Sequence, residues 1–404
     1  MNTSGCDARF ASLCVAPLGP DGDGAPLVVP IVQSTTFVRD GLESSAVHRY
    51  SRESNPTVAA LERSLGRLED ALDGLCFATG LAAETALILA TARSGDHVVC
   101  SRAVYGGTSR LLRSVFADLG VGATFVDTTV PAEVANALRP ETKLVFVETP
   151  ANPTLVLSDL RAIGSIVRAS RAILAVDNTF LTPVLQQPLE LGAHVSVYST
   201  TKFIEGHSVA LGGALVTRDA ALRERLFFLR KCTGAIQSPF QAWLTLNGLK
   251  TLPLRIERQS ANAKRVARWL AGHEDVRVVH HPSLSEFPQR QLADEQHRGG
   301  HGAVVSFELV GGKERARHLL RGVRLCRLVE HVGSVETLLT HSASMTHAAV
   351  PPEEREALGI SDALIRLSVG LEDPRDVIDD LAAAITGSRS CDAQEEVIRC
   401  TAAE

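Results

Sequence analysis

Two short apolar segments near the middle of the chain lead directly into side chains that can do chemistry. The first, residues 172–176, stops at Asp177, and the second, residues 195–198, runs into a polar turn that contains Lys202. Because ligands bind to α/β sheets where the strands end, these side chains are expected at one edge of a sheet. This pattern favours folds in which an aspartate and a lysine flank one small-molecule ligand.

Asp177, Lys202, Ser199 and Thr201 together supply the groups that pyridoxal phosphate requires. A lysine amine forms a Schiff base with this cofactor, a carboxylate keeps its ring nitrogen protonated, and hydroxyls bind its phosphate. Each residue also has an ordinary explanation. Asp177 can cap a turn, because Asp-Asn after a strand is common turn chemistry, and Lys202 can lie on the surface.

The segment DNTF, LELGAH, STTK, GHS and GG, between Asp177 and Gly213, resembles the lysine region of the Cys/Met-metabolism enzymes that use pyridoxal phosphate. That family includes cystathionine γ-synthase, cystathionine γ-lyase and methionine γ-lyase. The resemblance implies an α/β protein of the aspartate-aminotransferase-like fold type I, with a mostly parallel sheet. It also implies that Lys202 and Asp177 are catalytic and that Ser199 and Thr201 bind the cofactor.

Composition and charge favour a globular protein that binds a small molecule. The chain has 404 residues, of which 45% are apolar and 22% charged, enough to bury two cores. The net charge is −5 and the basic residues are scattered, so we expect neither nucleic acid nor a membrane surface as a partner. No apolar run approaches a membrane span of about 18 residues, and the start lacks a signal-peptide pattern, which predicts a cytoplasmic protein. The eight cysteines form no CxxC pair, so neither disulfides nor a metal site is expected.

The pattern along the chain predicts an arm and two domains. Residues 1–48 are rich in Gly, Pro, Asp and Ser and are expected to pack as an arm on a partner subunit. Residues 49–250 are expected to form the large cofactor-binding domain, and residues 251–404 a smaller α/β domain with the substrate-carboxylate site. Strands alternating with helices are predicted near 97–101, 123–127, 143–147, 172–176, 195–198 and 213–216. After Thr217 the pattern predicts one long helical stretch that reaches toward Trp269.

A helix is predicted to begin at Asn55-Pro56-Thr57, with a core-facing stripe at Leu61, Leu65, Leu68 and Leu72. Tyr50 and Arg52, just before it, can simply be exposed polar residues. The resemblance implies instead that both reach the cofactor phosphate of a neighbouring subunit, where a guanidinium suits a dianion. On that basis we expect a homotetramer, built as a dimer of dimers with shared active sites.

Three further segments match cofactor-binding motifs of the family. Thr79-Gly80-Leu81 is expected to begin a helix whose free N–H groups hold phosphate, although glycines open many helices without such a role. Tyr105 matches the tyrosine that stacks on the cofactor ring and moves protons, or it is a tyrosine packed in a loop. Asn152 matches the asparagine that binds the 3-oxygen of the cofactor. Gly107 stands where methionine γ-lyases carry a cysteine, which argues against that activity.

The substrate end is assigned to a second group of residues. By the resemblance, Arg366 binds the α-carboxylate of an amino-acid substrate, whereas an ion pair with Glu372 or Asp373 is the alternative. Glu330 matches a glutamate of cystathionine γ-lyases and γ-synthases, and Tyr50 is also expected near the substrate. His331 replaces the usual serine, so it either changes the substrate or turns outward.

The resemblance implies an enzyme that eliminates or replaces a γ-substituent of an L-amino acid. The product is a 2-oxo acid or a new γ-thioether, formed through a vinylglycine-type intermediate. A pyridoxal-phosphate-dependent β-lyase, an aminotransferase or an O-acylhomoserine sulfhydrylase is an alternative, with a specialised-metabolite amino acid as one possible substrate. A non-catalytic binding protein would lose Lys202 or Arg366, and both are present.

Overall fold

The computed structural model describes residues 9–16, 22–348 and 350–389. Within these ranges the chain forms two compact units. Of the described residues, the first unit contains those up to Ser101, Gly107–Glu148 and Ser158–Leu254, and the second contains Arg102–Gly106, Thr149–Leu157 and those from Arg255 onward. Periodicity did not indicate that the short segments 102–106 and 149–157 belong to the second unit. No helix in the described residues combines the length and the apolar character needed to cross a membrane.

A seven-stranded sheet forms the centre of the first unit. Its strands are β1 Leu75–Phe77, β2 His97–Ser101, β3 Gly122–Val126, β4 Thr142–Glu148, β5 Ile173–Asp177, β6 Val195–Tyr198 and β7 Gly213–Thr217. Their order is β1-β7-β6-β5-β4-β2-β3. Strands β2 to β6 are parallel, whereas β7 is antiparallel to both β6 and β1. The sequence predicted a mostly parallel sheet and six of these strands, and both are confirmed. It did not predict β1, because three residues are too few to show a pattern of apolar and polar side chains.

Helices connect and cover these strands. In chain order they are α1 Phe10–Val15, α2 Pro56–Leu68, α3 Gly80–Thr91, α4 Gly106–Arg110 with a π-helical continuation Leu111–Phe116, α5 Pro131–Ala137, α6 Leu160–Arg168, α7 Thr182–Leu185, a 3-10 turn Pro188–Leu191, α8 Ala220–Thr233, α9 Pro239–Lys250 and α10 Leu252–Ala271. The single long helical stretch expected after Thr217 is therefore wrong. Gly234, with φ 72°, ends α8, and Pro239 begins α9.

Helix α2 begins where the sequence predicts. The Asn55 side chain caps it by accepting a hydrogen bond from the Thr57 N–H at 2.9 Å. Leu61, Leu65 and Leu68 are buried, which confirms that part of the predicted stripe. Leu72 is the exception, because the helix ends at Leu68 and the chain then turns through Asp70, so Leu72 lies outside the helix and is partly exposed.

The two faces of the central sheet differ in character. Alternate strand residues, including Val145, Val147 and Val176, join α5 and α6 in an apolar core. Since side chains alternate between faces along a strand, Glu148 and Asp177 lie on the opposite face. Helix α3 contacts β1, β4, β6 and β7 and begins on the side where the parallel strands end.

The second unit is built on a five-stranded sheet with helices packed against it. Its strands are β8 Val276–His280, β9 Val304–Leu309, β10 Arg327–Leu328, β11 Leu338–His341 and β12 Leu364–Ser368, in the order β10-β11-β12-β9-β8. Its further helices are α11 Arg290–Gln296, α12 Gly312–Gly322, α13 Pro352–Ala357 and α14 Pro374–Ser388. Phe307, Leu319 and Leu381 lie in the core that joins this sheet to α12 and α14. The expected smaller α/β fold is confirmed.

An ion pair between Glu62 and Arg230 holds α2, β1 and α8 together inside the first unit. Both residues are buried, and Glu62 also accepts a hydrogen bond from the Cys76 N–H at 2.9 Å. Arg230 donates to the Cys76 carbonyl at 2.9 Å. The pair therefore connects three segments that are far apart in the sequence.

We expect Glu62→Ala to lower the free energy of unfolding by about 3–5 kcal/mol, because it leaves the Arg230 charge buried without its partner. Denaturant unfolding followed by circular dichroism would measure the loss. As a control, the double variant Glu62→Leu/Arg230→Met should recover most of the stability, since it removes both charges. Equal losses in the single and double variants would contradict this account.

Candidate active site

Asp177 lies at the end of β5, beside Glu148 at the end of β4. Its carboxylate accepts a hydrogen bond from the Thr179 N–H at 2.9 Å. Burial raises the pKa of Asp177, while the hydroxyl and N–H of Thr179 oppose that rise by bonding the charged form. The strand end thus carries a carboxylate that is oriented by its own turn.

Thr179 also connects Asp177 to the turn that contains the lysine. Its hydroxyl accepts a hydrogen bond from the Ser199 N–H at 2.8 Å, just after β6. In that turn the Lys202 N–H donates to the Ser199 carbonyl at 3.1 Å, and the Lys202 side chain is half-buried. The predicted aspartate and lysine therefore follow neighbouring parallel strands and are joined through one threonine that sequence reasoning missed.

The Thr201 hydroxyl has a structural role in the same turn. It donates to the Gly212 carbonyl at 3.0 Å and accepts from the Gly212 N–H at 2.9 Å. Its proton is therefore committed to the main chain. A ligand phosphate would have to replace the bond to the Gly212 carbonyl before it could accept from Thr201.

The start of α3 packs closely against this turn. Thr79 caps the helix by accepting from the Ala82 N–H at 3.0 Å, and Gly80 and Leu81 follow in the first helical turn. A Cβ atom added to Gly80 would lie 3.1 Å from the Cβ of Ser199, and one added to Gly213 would overlap the Thr79 carbonyl oxygen. The N–H groups of a helix start and the hydroxyl of Ser199 are thus side by side, as a phosphate site requires.

Tyr50 and Arg52 lie together on the surface of the first unit. The Arg52 guanidinium is 5.4 Å from the centre of the Tyr50 ring and donates to the Lys231 carbonyl in α8 at 2.7 Å. Both residues are exposed in the single chain, with 44% of Tyr50 accessible. In this chain the two residues are therefore exposed, as the simpler of the two sequence interpretations expected. That they act on the cofactor of another subunit stays a prediction.

In the second unit, Arg366 is buried in β12 and its guanidinium is held by three oxygen atoms. It donates to the Asn152 side chain at 3.0 Å, to the His331 carbonyl at 2.9 Å and to the Thr340 hydroxyl at 2.9 Å. All three acceptors are neutral. These contacts therefore orient the guanidinium without neutralising its charge.

The carboxylates named as alternative partners of Arg366 have other partners. Glu372 accepts hydrogen bonds from the N–H and hydroxyl of Thr337 at 2.6 and 2.7 Å. Asp373 pairs with Arg375 at 2.7 Å. The geometry thus favours a role for Arg366 in binding over the ion pair considered from the sequence.

The predicted substrate residues contribute to this cluster unequally. His331 is half-buried and provides its main-chain carbonyl to Arg366, whereas Glu330 is exposed. His347, which sequence reasoning missed, is buried, and burial together with the charge of Arg366 lowers its pKa to about 4. It is therefore neutral near pH 7 and adds no charge beside Arg366.

Tyr105 also belongs to the second unit and is 40% exposed in the loop after β2. A Cβ atom added to the adjacent Gly106 would lie 3.1 Å from the Thr346 carbonyl oxygen. The loop is therefore closely packed on the segment that contains His347, while the tyrosine ring remains accessible. Stacking on a ligand ring requires such a partly exposed aromatic side chain.

A parallel sheet with an aspartate and a lysine after neighbouring strands, beside a glycine helix start, defines a pyridoxal-phosphate-dependent enzyme. The donor set fits the cofactor, since a half-buried carboxylate, an amine and a phosphate cradle are all present in the first unit. The chain belongs to the Cys/Met metabolism PLP-dependent enzyme family, whose model matches residues 18–386. The resemblance, the enzyme class and the cofactor predicted from the sequence are confirmed.

The chain is similar to several characterised relatives along nearly its whole length. It is 41% identical to a cystathionine gamma-lyase of Bacillus subtilis, over 91% of this chain and 96% of the relative. It is 40% identical to a cystathionine beta-lyase of the same organism, over 91% and 94%. The solved cystathionine gamma synthase of Xanthomonas oryzae pv. oryzae, in complex with aminoacrylate and cysteine, has a TM-score of 0.92 at 40% identity. That match covers 95% of this chain and 100% of the solved chain.

Proposed function

We propose that this enzyme catalyses γ-elimination or γ-replacement on a γ-substituted L-amino acid. The observation that carries the proposal is that two sets of groups are oriented: Asp177 beside the turn that contains Lys202, and the Arg366 guanidinium among neutral oxygens. Asp177 and Lys202 suit the cofactor, and Arg366 suits the carboxylate of an amino acid. The similarity to a cystathionine gamma-lyase and a cystathionine gamma synthase supports this substrate class.

The roles of the first-unit residues follow from their chemistry. When bound, pyridoxal phosphate supplies an electron sink for the carbanion left by loss of the α-proton. Lys202 provides the amine that attaches the cofactor and then moves protons at the α and β carbons of the substrate. Asp177 holds the proton on the ring nitrogen, and Ser199 with the α3 start binds the phosphate. Thr179 keeps the aspartate and the phosphate turn in register.

The roles of the second-unit residues concern binding and selection. Arg366 binds the substrate carboxylate, because its charge is oriented but not neutralised by Asn152, Thr340 and the His331 carbonyl. Asn152 in addition donates its amide to the 3-oxygen of the cofactor. Tyr105 would stack on the cofactor ring, and its phenol could move protons.

We expect Lys202→Ala to abolish the yellow colour and the borohydride-reducible imine of the purified protein, because no other side chain would attach the cofactor. Turnover of γ-substrates should fall by about 10³-fold or more. Absorbance before and after borohydride, with a tryptic map of the reduced lysine, would measure this. Lys250→Ala, which changes a lysine elsewhere in the first unit, serves as the control. A reducible imine that persists in Lys202→Ala would exclude the assignment.

Product analysis decides among the activities of this family. Release of 2-oxobutanoate, ammonia and cysteine from cystathionine would indicate γ-elimination, and thioether formation from an O-acylhomoserine with cysteine would indicate γ-replacement. The similarity to a cystathionine beta-lyase makes β-elimination the second candidate, with pyruvate and homocysteine as its products. An enzyme that forms none of these from any γ- or β-substituted amino acid would refute the proposal.

We also propose that the protein works in the cytoplasm as a homotetramer, a dimer of dimers, with residues 1–48 as an arm on a partner subunit. Apolar side chains are conspicuous in the described part of this arm. Leu27, Val38, Leu42 and Val47 are each more than 80% exposed in the single chain. A partner surface would remove these groups from water and supply Tyr50 and Arg52 to a second active site.

Mixing two inactive variants tests whether the sites are shared. Arg52→Ala and Lys202→Ala should each be nearly inactive, whereas subunits unfolded and refolded together should recover about a quarter of wild-type activity. Half of random dimers are mixed, and each mixed dimer has one intact site of two. Refolding Lys202→Ala with a second Lys202→Ala preparation is the control. No recovery in mixed oligomers of confirmed composition would show that Arg52 acts within its own chain.

We propose that His331 helps to select the substrate. Its carbonyl bonds Arg366, so the residue lies beside the arginine proposed to bind the carboxylate, where the imidazole adds bulk that a serine lacks. His331→Ser should change kcat/KM for cystathionine and for bulkier γ-substituted amino acids by more than fivefold, and in opposite directions. Steady-state kinetics with both substrates measures this, and Glu330→Gln at the exposed neighbouring position is the control. If every value stays within about twofold, below ~0.5 kcal/mol, the side chain has no such role.

A further inference from the structure

A buried carboxyl group of the first unit has no place in the roles assigned so far. Glu84 lies on α3, five residues after the N-cap Thr79, and only 4% of it is exposed. Its Oε2 atom is buried without a hydrogen-bond partner among the described residues. A buried polar atom of this kind requires an explanation, because leaving it unbonded costs about 1–3 kcal/mol.

Helix α3, which carries Glu84, contacts β4, the strand that ends at Glu148, and β6, which pairs with the strand that ends at Asp177. Asp177 and Glu148 are register partners on the side of the sheet opposite the α5 and α6 core. Burial raises the pKa of Glu84 well above its usual range, the negative charges of Asp177 and Glu148 raise it further, and the Thr108 hydroxyl opposes the rise. Cys100 on β2 shows the same surroundings, since burial and the charges of Glu84 and Glu148 raise its pKa.

The hydrogen bonds decide which member of the pair Glu84 and Asp177 carries the charge. Two carboxyl groups close together in a buried place do not both ionise readily. Asp177 accepts from the N–H of Thr179 at 2.9 Å and from its hydroxyl, and these bonds favour its anion. At Glu84 the Thr108 hydroxyl favours the anion, but among the described residues no group donates a hydrogen bond to Oε2.

We propose that Glu84 is a positioning residue for Asp177, because it keeps a proton and thereby confines the negative charge of the pair to Asp177. The catalytic meaning rests on the proposed function, in which Asp177 faces the protonated ring nitrogen. If Glu84 ionised in its place, Asp177 would take up the proton and the ring nitrogen would lose its counter-ion. Glu84 therefore acts through Asp177 and need not touch cofactor or substrate.

Infrared spectroscopy of the cofactor-free protein tests the proposal directly. At neutral pH the wild type should show the carbonyl stretch of a protonated carboxylic acid, and Glu84→Gln should lose it. In Asp177→Asn the band should remain but titrate at a lower pH, because a neighbouring negative charge is gone. Glu224→Gln, an exposed acid-to-amide change on α8, should leave the band unaltered.

Other outcomes overturn the proposal. Absence of the band in the wild type means that Glu84 is ionised, and loss of the band in Asp177→Asn but not in Glu84→Gln means that Asp177 holds the proton. If Glu84→Gln does not fold, the spectra of the wild type and Asp177→Asn still decide. A wild type that shows the Glu84 band but binds no pyridoxal phosphate would refute the proposed function and leave the proton assignment standing.

The dependence of stability on pH provides a second measurement. The pKa of Glu84 is raised in the folded state, so the folded chain retains a proton that the unfolded chain releases above about pH 4.5. Wild-type stability should therefore fall relative to Glu84→Gln as the pH rises through that value. Without cofactor, Glu84→Gln should melt at a higher temperature than wild type at about pH 8, and the difference should close near pH 4. A difference that does not depend on pH would overturn the proposal.

Discussion

Thr179 is the residue on which the first-unit site depends. It stands between two turns that follow neighbouring strands: its N–H donates to the Asp177 carboxylate after β5, and its hydroxyl accepts from the Ser199 N–H after β6. Parallel strands bring their carboxyl ends to one edge, but the turns beyond them are free to diverge. A single residue that bonds both turns fixes the spacing between the aspartate and the phosphate turn. The close approach of Gly80 to Ser199 then sets the start of α3 against the same edge.

Charge is handled differently in the two units. In the first, Glu84 and Glu148 are buried, Asp177 is half-buried, and hydrogen bonds from Thr179 favour the anion at Asp177. In the second, the Arg366 guanidinium donates to three neutral oxygens, while Glu372 bonds Thr337 and Asp373 pairs with Arg375. Asp177 and Arg366 thus carry opposite charges, and each is oriented by hydrogen bonds within its own unit. A zwitterionic amino acid and a cationic ring are suited to such groups.

Much of the fold follows from local patterns, and the misses have physical causes. Buried parallel strands are continuous apolar runs, so β2 to β7 could be placed to within a residue or so. The three-residue β1 is defined by its pairing with β7, which no local pattern encodes. Leu72 continued the spacing of a helical stripe, but Asp70 with φ 47° had already turned the chain.

The site could be predicted where a motif joins side chain and strand end, as at Asp177 and Lys202. Glu84, Thr340 and His347 were missed because they become neighbours of functional residues only through tertiary packing. Thr340 lies directly opposite Arg366 in the sheet, but this can be known only once β11 is known to pair with β12. Thr179 offered a local clue, since a residue two positions after an aspartate often bonds its carboxylate.

The buried ion pair described above also bears on how the chain is made. Glu62 and Arg230 are 168 residues apart, so the carboxylate is synthesised long before the guanidinium that will neutralise it. Until α8 has been synthesised, the Glu62 carboxylate has no Arg230 to neutralise it and is more stable in water than buried between α2 and β1. The nascent first unit therefore cannot close its interior progressively from the N-terminus. Its closure requires a residue far along the chain, and contacts of such large sequence separation form slowly.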